Sequence, residues 1–341
     1  MNAQVTPSHI LQIGMGFMAS KTLLSAVELE LFTVLGSNGM TGPQLADRLG
    51  LHPRSMYDFL DALLSIGLLA RDGDGPLGTY SNTHETSLFL DKNSPAYVGG
   101  ILEMANSRLY PFWGGLTTGL KTGEPQNELK TGKGGMFDVI YADELRLEQF
   151  LRAMQGVQSG GFAALVEKLD LSKYSTFVDI GGANAALCTF VAGKFPKLQC
   201  RSFDLPVVAP IAKRHVAAMG LENRVEILAG DFFTDELPSA DVVTMGNILH
   251  DWDEVQKKAL IAKAFKAVSP GGMFVAIENV IDDARRKNTF GLLMSLNMLI
   301  ELPGGFDYTG AQFDSWCKEA GFTRTEIVPL AGPSSAAVAY K

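Results

Sequence analysis

The segment FVDIGGANAAL, residues 177–187, constrains the fold of this chain more than any other. A short apolar strand ends at Asp179, and a tight turn of small residues follows it at once. A strand-to-helix turn of this kind lets the backbone approach a nucleotide-like ligand closely. A glycine pair after a strand is more often an ordinary turn, and GGANAA does not match the GxGxxG pattern. The segment by itself therefore leaves both interpretations open.

Three further strand ends follow at the spacing of a Rossmann-type α/β fold. SFDLP places Asp204 at the end of the next apolar strand, and LAGDFF places Asp231 at the end of a third. ADVVTMGNILHDW ends a fourth strand at His250, Asp251 and Trp252. SPGGMFVAIENVI is predicted as a fifth strand entered through a Pro-Gly-Gly turn, and FTRTEIVPL and SSAAVAYK as a terminal strand pair. This alternation predicts a parallel sheet, with ligands bound outside the carboxyl ends of its strands.

The N-terminal part of the chain predicts a separate helical module. Residues 9–36 have apolar side chains at helical spacing, and residues 95–170 look helical with a break at GLKTGEPQNELKTGKGG. Residues 41–70 have the pattern of a winged helix, in which Thr41 caps one helix and Pro53 opens a second. A wing then begins at LLA, turns at GDGPLG and returns along TYSNT.

A winged helix serves either DNA binding or dimerisation with a substrate lid. The second helix, residues 53–66, carries Arg54 but also Asp58 and Asp61. A reader of the major groove needs several basic and amide side chains on one face. The pattern therefore favours dimerisation, and the net charge of −8 also disfavours a nucleic-acid partner.

The composition is typical of a soluble globular protein. Apolar residues make up 46% of the 341 residues and charged residues 19%, which suffices for an ample core. The start MNAQVTPSHI lacks the features of a signal peptide, and we expect no uninterrupted apolar run of membrane-spanning length. Cys188, Cys200 and Cys317 have no metal or disulfide spacing. We therefore expect a cytoplasmic protein with no membrane partner.

The HDW motif followed by PGG, with DLP one βα unit beyond the glycines, resembles the class I S-adenosylmethionine (SAM)-dependent methyltransferases. The chain looks most like their small-molecule O-methyltransferases of the caffeic acid and acetylserotonin type, over nearly its whole length. The resemblance implies an α/β fold class, a Rossmann-like SAM-binding domain with an N-terminal helical winged-helix dimerisation domain. It implies dimerisation at residues 1–95, a helical linker and substrate lid at 96–170, and the methyltransferase domain at 171–341. It further implies a homodimer with SAM as its cofactor.

The resemblance assigns the strand ends to parts of SAM. Small residues at the first turn let backbone amides approach the methionyl part, and a carboxylate after the second strand suits the ribose hydroxyls. A carboxylate with an apolar neighbour after the third strand suits the adenine. The predicted cofactor residues are Met154, Asp179, Gly181, Gly182, Asp204, Asp231, Phe232 and Trp252. A single aspartate so placed is more often a helix cap, but three at this spacing favour the site.

Two departures from the family pattern concern this site. The family's DxGGGxG turn has alanine at Ala183 and Ala185 here, and alanine lacks glycine's freedom at positive φ. We therefore expect the turn to differ slightly or to hold the cofactor less closely. Gly246 stands where the family has a lysine.

The resemblance and the chemistry of methyl transfer both point to His250 as a general base. The sulfonium is already activated, so the enzyme must position the acceptor and take its proton, and histidine suits that task near neutral pH. The family's orienting acid after the fifth strand is Glu278 here. A second family acid corresponds to Asp307, where the family usually has glutamate. Asp251 is predicted as a helix N-terminal acid, and no metal is expected.

A set of apolar and aromatic side chains is predicted to bind the acceptor. It comprises Phe112, Trp113, Phe137, Tyr141, Met294, Met298 and Leu302. Each alone is more often a core residue, but together they indicate a flat apolar or aromatic acceptor. We therefore expect methyl transfer to a hydroxyl of a small aromatic or polyketide-like molecule. The alternatives are a SAM-binding enzyme of this fold with another reaction (hydroxylation, decarboxylation or a pericyclic step) and a winged-helix transcriptional regulator.

Overall fold

The computed structural model describes residues 5–132 and 136–341, so the first four residues and residues 133–135 of the predicted loop lie outside the described residues. Contacts divide the chain into two compact units, Met1–Pro111 and Phe112–Lys341. The three-part division at residues 95 and 170 stays a prediction.

The first unit consists of short helices around a small three-stranded sheet. Its elements are α1 Ser8–Gly14, α2 Gly16–Glu28, α3 Leu31–Leu35, β1 Met40–Thr41, α4 Gly42–Leu49, α5 Pro53–Ser65, β2 Leu69–Asp72, β3 Thr79–Asn82, α6 His84–Phe89 and α7 Gly99–Met104, followed by a π-helical turn at Ala105–Leu109. The sheet has the order β1-β3-β2 with antiparallel pairs. Its core is formed by side chains such as Phe32, Leu60 and Tyr80.

The helix starts and the hairpin that the sequence predicted in this unit are present. Thr41 is the N-cap of α4 in a capping box with Gln44, and Pro53 opens α5. The single helix predicted for residues 9–36 was wrong, because the chain breaks at Met15 and again at Glu30. Glu30 has φ of +56°, a left-handed conformation that no α-helix can contain.

The N-terminal helices present an unusual amount of apolar surface. Among the described residues, Ser8–Glu28 is the one helical stretch long and apolar enough to cross a membrane, with a mean hydropathy of 1.4. Only 17% of that stretch is buried within the chain. Length and composition are the whole of this evidence, and a surface covered by another protein has the same properties.

The second unit contains helices followed by a seven-stranded sheet with flanking helices. Its elements are α8 Tyr110–Trp113 (which starts in the first unit), α9 Leu116–Thr122, a 3₁₀ turn Glu128–Thr131, α10 Met136–Tyr141, α11 Glu144–Lys168, β4 Thr176–Ile180, α12 Ala186–Lys194, β5 Gln199–Asp204, α13 Ala209–Ala218, β6 Val225–Ala229, β7 Ala240–Gly246, a 3₁₀ turn Leu249–Asp251, α14 Glu254–Ala267, β8 Val268–Glu278, α15 Thr289–Glu301, α16 Gly310–Ala320, β9 Arg324–Pro329 and β10 Ser335–Tyr340.

The strand order is β6-β5-β4-β7-β8-β10-β9. The first five strands are parallel, and β10 runs antiparallel to both β8 and β9. The predicted parallel sheet and terminal strand pair are therefore confirmed. The Pro-Gly-Gly segment lies inside β8 rather than before it, where the pairing with β7 shifts register between Ala240 and Val242.

Both faces of the sheet are buried, as expected for parallel strands between helices. Successive residues of β4 alternate between the two cores. Phe177 packs in one core, and Val178 and Ile180 pack in the other. The chain reverses its direction of winding between β4 and β7, so the carboxyl ends of these strands define the crevice where ligands bind in open α/β sheets.

Candidate active site

The turn after β4 contains two glycines at positions where a side chain would not fit. Gly181 has φ of +67°, and a Cβ atom on it would collide with Ile248. A Cβ on Gly182 would collide with the hydroxyl of Ser202. The N–H of Gly181 donates to Phe203 O at 2.8 Å, which pins the turn against β5. The sequence motif therefore corresponds to a closely packed turn at the crevice.

The two alanines in the turn keep a glycine-like backbone. Ala183 has φ of +51° and Ala185 has φ of +65°, both left-handed. Both alanines therefore adopt a backbone conformation that suits glycine better. The expected effect on cofactor binding stays a prediction. Left-handed φ costs an L-residue about 1–2 kcal/mol, so the strain is kept at this site. Between them, Asn184 donates to the side chain of Gln155 on α11, which fixes the turn from the other side.

Two carboxylates lie at the ends of the central strands, Asp179 buried and Asp204 partly buried. Asp179 accepts a hydrogen bond from Thr244 Oγ1 at 2.7 Å, and burial raises its pKa to about 7. Asp204 accepts the N–H groups of Ala183 and Leu205 at 2.8 and 2.7 Å, and burial raises its pKa to about 6. Each oxygen of Asp204 keeps a second lone pair, so the carboxylate still fits a pair of ribose hydroxyls.

The third predicted strand ends earlier than expected. β6 ends at Ala229, and Asp231 lies two residues beyond it, where its Oδ1 accepts the N–H of Phe233 at 2.8 Å. Phe232 and Phe233 both pack against the indole of Trp252, with ring centroids 6.1 and 4.6 Å away. Phe233 was not predicted, although its place beside Phe232 in the motif was a usable signal.

Phe137 and Tyr141 lie on the side of the site predicted for the cofactor. Phe137 stacks on Trp252 at 6.2 Å and meets Tyr141 edge-on at 5.7 Å. Burial, together with the charges of Asp204 and Asp251, raises the pKa of Tyr141. Met154 lies on α11, one residue before Gln155, which binds the turn.

His250 lies in a buried cluster of acids just after β7. Its Nδ1 is 3.5 Å from Asp307 Oδ1 and 3.7 Å from Glu278 Oε2, and its Nε2 is 3.4 Å from Asp251 Oδ1. Glu278 also accepts the N–H groups of Leu249 and His250, at 3.0 and 3.4 Å, and so holds the turn. The structure thus brings the three predicted catalytic residues together and adds Asp251.

The electrostatics of the cluster favour a protonated histidine in this geometry. Burial alone lowers the pKa of His250, but the charges of Glu278, Asp251 and Asp307 outweigh it and raise the pKa to about 10. Burial raises the pKa of Glu278 to about 7 and that of Asp251 to about 6, while His250 opposes both shifts. The three acids therefore favour the protonated form of His250.

The prediction for Asp251 was wrong. The helix that follows has Asp253 as its N-cap, with a side chain that accepts the N–H of Gln256 at 2.8 Å. Asp251 precedes that cap and is buried against His250 Nε2. Ligand atoms of His250, Glu278 and Asp307 lie within 4.8 Å of one another, a spacing that acid–histidine clusters share with metal sites. The absence of a metal stays a prediction.

The remaining predicted acceptor residues lie on α15 or before α9. Met298 and Leu302 are buried, and Met294 is partly buried one turn earlier on α15. The indole of Trp113, which follows Phe112, donates to Asn297 Oδ1 at 2.9 Å. Ser295 Oγ accepts the N–H of Asp307 at 3.2 Å, so α15 contacts the acid cluster. Asn297 was missed because a lone amide in an apolar helix has no motif.

A doubly wound sheet with paired acids at its crevice, beside a buried histidine, defines an α/β enzyme that binds a nucleotide-like cofactor. Comparison with known proteins makes this class specific. The family model for the O-methyltransferase domain matches residues 113–323, and the model for the O-methyltransferase dimerisation domain matches residues 11–92.

Individual relatives agree with the family models. The chain is 41% identical to the tetracenomycin polyketide synthesis 8-O-methyl transferase TcmO of Streptomyces glaucescens, over 98% of this chain and 97% of that protein. It is 34% identical to the N,N-dimethyltransferase OxyT of Streptomyces rimosus, over 92% and 90%. The crystal structure of human N-acetylserotonin methyltransferase in complex with SAM is similar with a TM-score of 0.92 and 28% identity, over 100% and 99%.

The chain therefore belongs to the O-methyltransferase family, and it is a SAM-dependent methyltransferase. The expected α/β fold class and the N-terminal dimerisation domain are confirmed. Methyl transfer is supported over the other reactions and over the transcriptional regulator considered for this fold.

Proposed function

We propose that this protein transfers the methyl group of SAM to a hydroxyl of a small aromatic or polyketide-like acceptor, with His250 as the proton acceptor. The observation that carries the proposal is the buried cluster of His250 with Glu278 and Asp307 beside the acids of the crevice. The similarity to TcmO, whose name gives a polyketide pathway and an oxygen acceptor, supports the acceptor class.

We infer that the crevice residues hold the parts of SAM that the sequence assigns to them. Asp204 would hold the ribose, and Gly181 and Gly182 would let backbone N–H groups reach the methionyl part. Asp231 and Phe232 would contact the adenine, with Trp252 packed against Phe232. The fit is supported by a buried indole N–H of Trp252 that has no hydrogen-bond partner among the described residues. Met154 and Asp179 complete the predicted set.

The side chains of the protein must provide the group that accepts the proton of the substrate hydroxyl. A phenol has a pKa of about 10, so little phenolate exists at neutral pH without a base. Nε2 of His250 would take the acceptor proton, while Glu278 and Asp307 face Nδ1 and orient the ring. When bound, SAM would supply an activated methyl group, and His250 would act as the base in its neutral form.

The acceptor would lie against the apolar set on α15. Met294, Met298 and Leu302 provide an apolar surface, and Trp113 adds an aromatic one with Phe112 beside it. Phe137 and Tyr141 are now assigned to the cofactor side, because they contact Trp252 or lie near Asp204.

The proposal also covers the assembly of the protein and its location in the cell. A second copy of the chain covering the exposed apolar faces of α1 and α2 would form the predicted homodimer. In that arrangement the partner copy, rather than a membrane, would cover the apolar stretch Ser8–Glu28. The cytoplasmic location and the lack of a nucleic-acid partner remain part of this proposal.

A nitrogen acceptor is the second candidate function. It is favoured by one observation, the 34% identity to a relative named as an N,N-dimethyltransferase. The chemistry differs at the base, because a neutral amine attacks without prior loss of a proton and makes less use of His250.

Label transfer from SAM tests both candidates. The protein would be incubated with methyl-labelled SAM and matched pairs of aromatic phenols and anilines, and the labelled products identified by mass spectrometry. Label on phenol oxygen that is lost in the His250→Gln variant supports the proposal. Label on nitrogen alone favours the second candidate, and no transfer to any member of the panel argues against both.

A further inference from the structure

Lys257 is a buried cation behind the acid–histidine cluster, in the first turn of α14. The residue has no exposed surface. Its Nζ donates a hydrogen bond to the carbonyl oxygen of Trp252 and lies 3.4 Å from the ring centroid of Phe306. Trp252 follows Asp251 in the chain, and Phe306 precedes Asp307. One ammonium group therefore contacts both of the loops that bring these acids to His250.

The charges around Lys257 are almost all negative. Glu278 of β8, Asp307, Asp251 and Asp253 act on its ammonium group and favour the charged form. Burial opposes them and lowers the pKa of Lys257 to about 8. Among the described residues, Lys257 is the one lysine with no exposed surface.

The acids that face Lys257 also face His250. Glu278, Asp251 and Asp307 surround the imidazole, and Glu301 of α15 adds a further negative charge near Asp251. Without Lys257, three buried carboxylates would face a single cation, the imidazolium itself. A histidine so placed holds its proton more tightly.

We propose that Lys257 is a positioning residue that holds the loops of Asp251 and Asp307 in place and offsets their charge, so that His250 can release its proton. This inference rests on the proposed role of His250. The ammonium group does not itself touch the reacting atoms. It acts by shaping the geometry and the charge of the cluster.

A lysine that only fills space predicts a different result. In that case its removal would lower activity by the same factor at every pH, because packing does not depend on the protonation of His250. A lysine that tunes His250 changes the pH profile instead. The two roles therefore separate in a measurement of kcat/KM against pH.

The test uses three variants of the full chain. Lys257→Met keeps most of the aliphatic stem and removes the charge, and Lys257→Arg keeps the charge. Lys258→Met is the matched control, because Lys258 is the next residue of the helix but is only partly buried and is paired with Glu254 and Glu319. In Lys257→Met we expect the acidic limb of kcat/KM to move up by about one pH unit. The loss would be about tenfold at pH 7 and would shrink at high pH.

We expect Lys257→Arg to keep the acidic limb near its original position and Lys258→Met to leave the whole profile unchanged. A uniform loss at all pH values in Lys257→Met, or an equal shift in Lys257→Arg, would overturn the proposal. Should Lys257→Met fail to fold, as judged by circular dichroism, the shift is measured on Lys257→Gln, which also lacks the charge.

Titration of the imidazole by NMR gives a readout that needs no turnover. The chain has 5 histidines, so the signal of His250 is assigned by its loss in His250→Gln. A raised His250 pKa in the charge-removing variant supports the proposal, and an unchanged or lowered pKa overturns it. If the wild-type protein transfers no label but the His250 pKa responds to Lys257, the proposed function fails and this inference stands.

Discussion

The acids around His250 favour its protonated form, whereas a general base needs the neutral form. Acids face both ring nitrogens, and their charge raises the pKa of the imidazole. We expect this base to contribute most to the rate with acceptors of high pKa, which are little ionised at neutral pH.

We expect His250→Gln to lower kcat on an unactivated phenol by about 10²–10⁴, the usual contribution of a general base. The loss should be much smaller on a nitrophenol, since its phenolate already exists at neutral pH. Affinity for S-adenosylhomocysteine, measured by calorimetry, should barely change. Equal losses on the two phenols would mean that His250 positions the acceptor rather than taking its proton.

Asp179 is expected to destabilise the ligand-free protein at alkaline pH. Its pKa is about 7 in the folded chain, against about 3.9 in an unfolded one, because burial disfavours the charged form. The folded state therefore binds the proton more tightly, and the free energy of unfolding falls as pH rises from about 4 to 7. Asp179→Asn should remove that fall and stabilise the protein by about 2–4 kcal/mol at pH 8.

Urea unfolding at a series of pH values checks this, with Asp241→Asn as a control of opposite sign. Asp241 accepts the N–H groups of Ser175 and Thr176, which lower its pKa against the effect of burial. Its contribution is present at neutral pH and lost on acidification, so Asp241→Asn should destabilise at pH 7. A stability of Asp179→Asn that parallels wild type across the whole pH range would refute the expectation.

At the scale of elements, the turn between β4 and α12 keeps a strained backbone at Ala183. Ala183→Gly should raise the free energy of unfolding by up to about 1 kcal/mol. Relief of left-handed strain exceeds the entropy that glycine adds to the unfolded chain. Ala262→Gly is the matched control, because Ala262 is similarly half-buried but lies inside α14, where glycine costs about 1 kcal/mol. Shifts of the same sign in urea unfolding would argue against strain at the turn.

At the scale of the whole molecule, the exposed apolar faces of the first two helices need a cover. The residues concerned are Ile10, Leu11, Ile13, Met15, Phe17 and Met18, each about half exposed or more. If a second copy covers them, the interface should exceed about 2,000 Å², as obligate dimers do. Exposure of this much apolar surface in a stable monomer is uncommon.

We therefore expect light scattering to report a dimer at micromolar concentration, and Ile13→Glu with Phe17→Glu to shift it to monomer or aggregate. Leu77→Glu is the control, because Leu77 is 87% exposed in the loop between β2 and β3 and outside this face. Co-sedimentation with lipid vesicles tests the alternative that a membrane covers Ser8–Glu28. A wild-type monomer in solution that binds vesicles would contradict the dimer.

The amino-acid sequence by itself determined the parts of this protein that depend on local pattern. Strand–helix alternation after residue 176 predicted the parallel sheet, and Asp179, Asp204 and His250 were found because strand ends in such a sheet share one edge. Thr41 and Pro53 marked their helix starts because caps act within one turn. The sequence pattern did not predict the helix break at Glu30, because the spacing of apolar residues carries no information about its left-handed φ.

Only the tertiary structure decided which side chains meet across loops that are distant in the chain. Asp251 was predicted as an acid at a helix N-terminus, yet its side chain packs against His250 Nε2, and Asp253 is the N-cap of α14. No motif in the sequence singled out Lys257, yet its ammonium group lies over Phe306 near four acids. Such contacts depend on side-chain direction and on how β7, β8 and α14 pack together. Periodicity and spacing carry no information about that packing. Burial then strengthens the interactions among these charges, because the surroundings screen them less than water does.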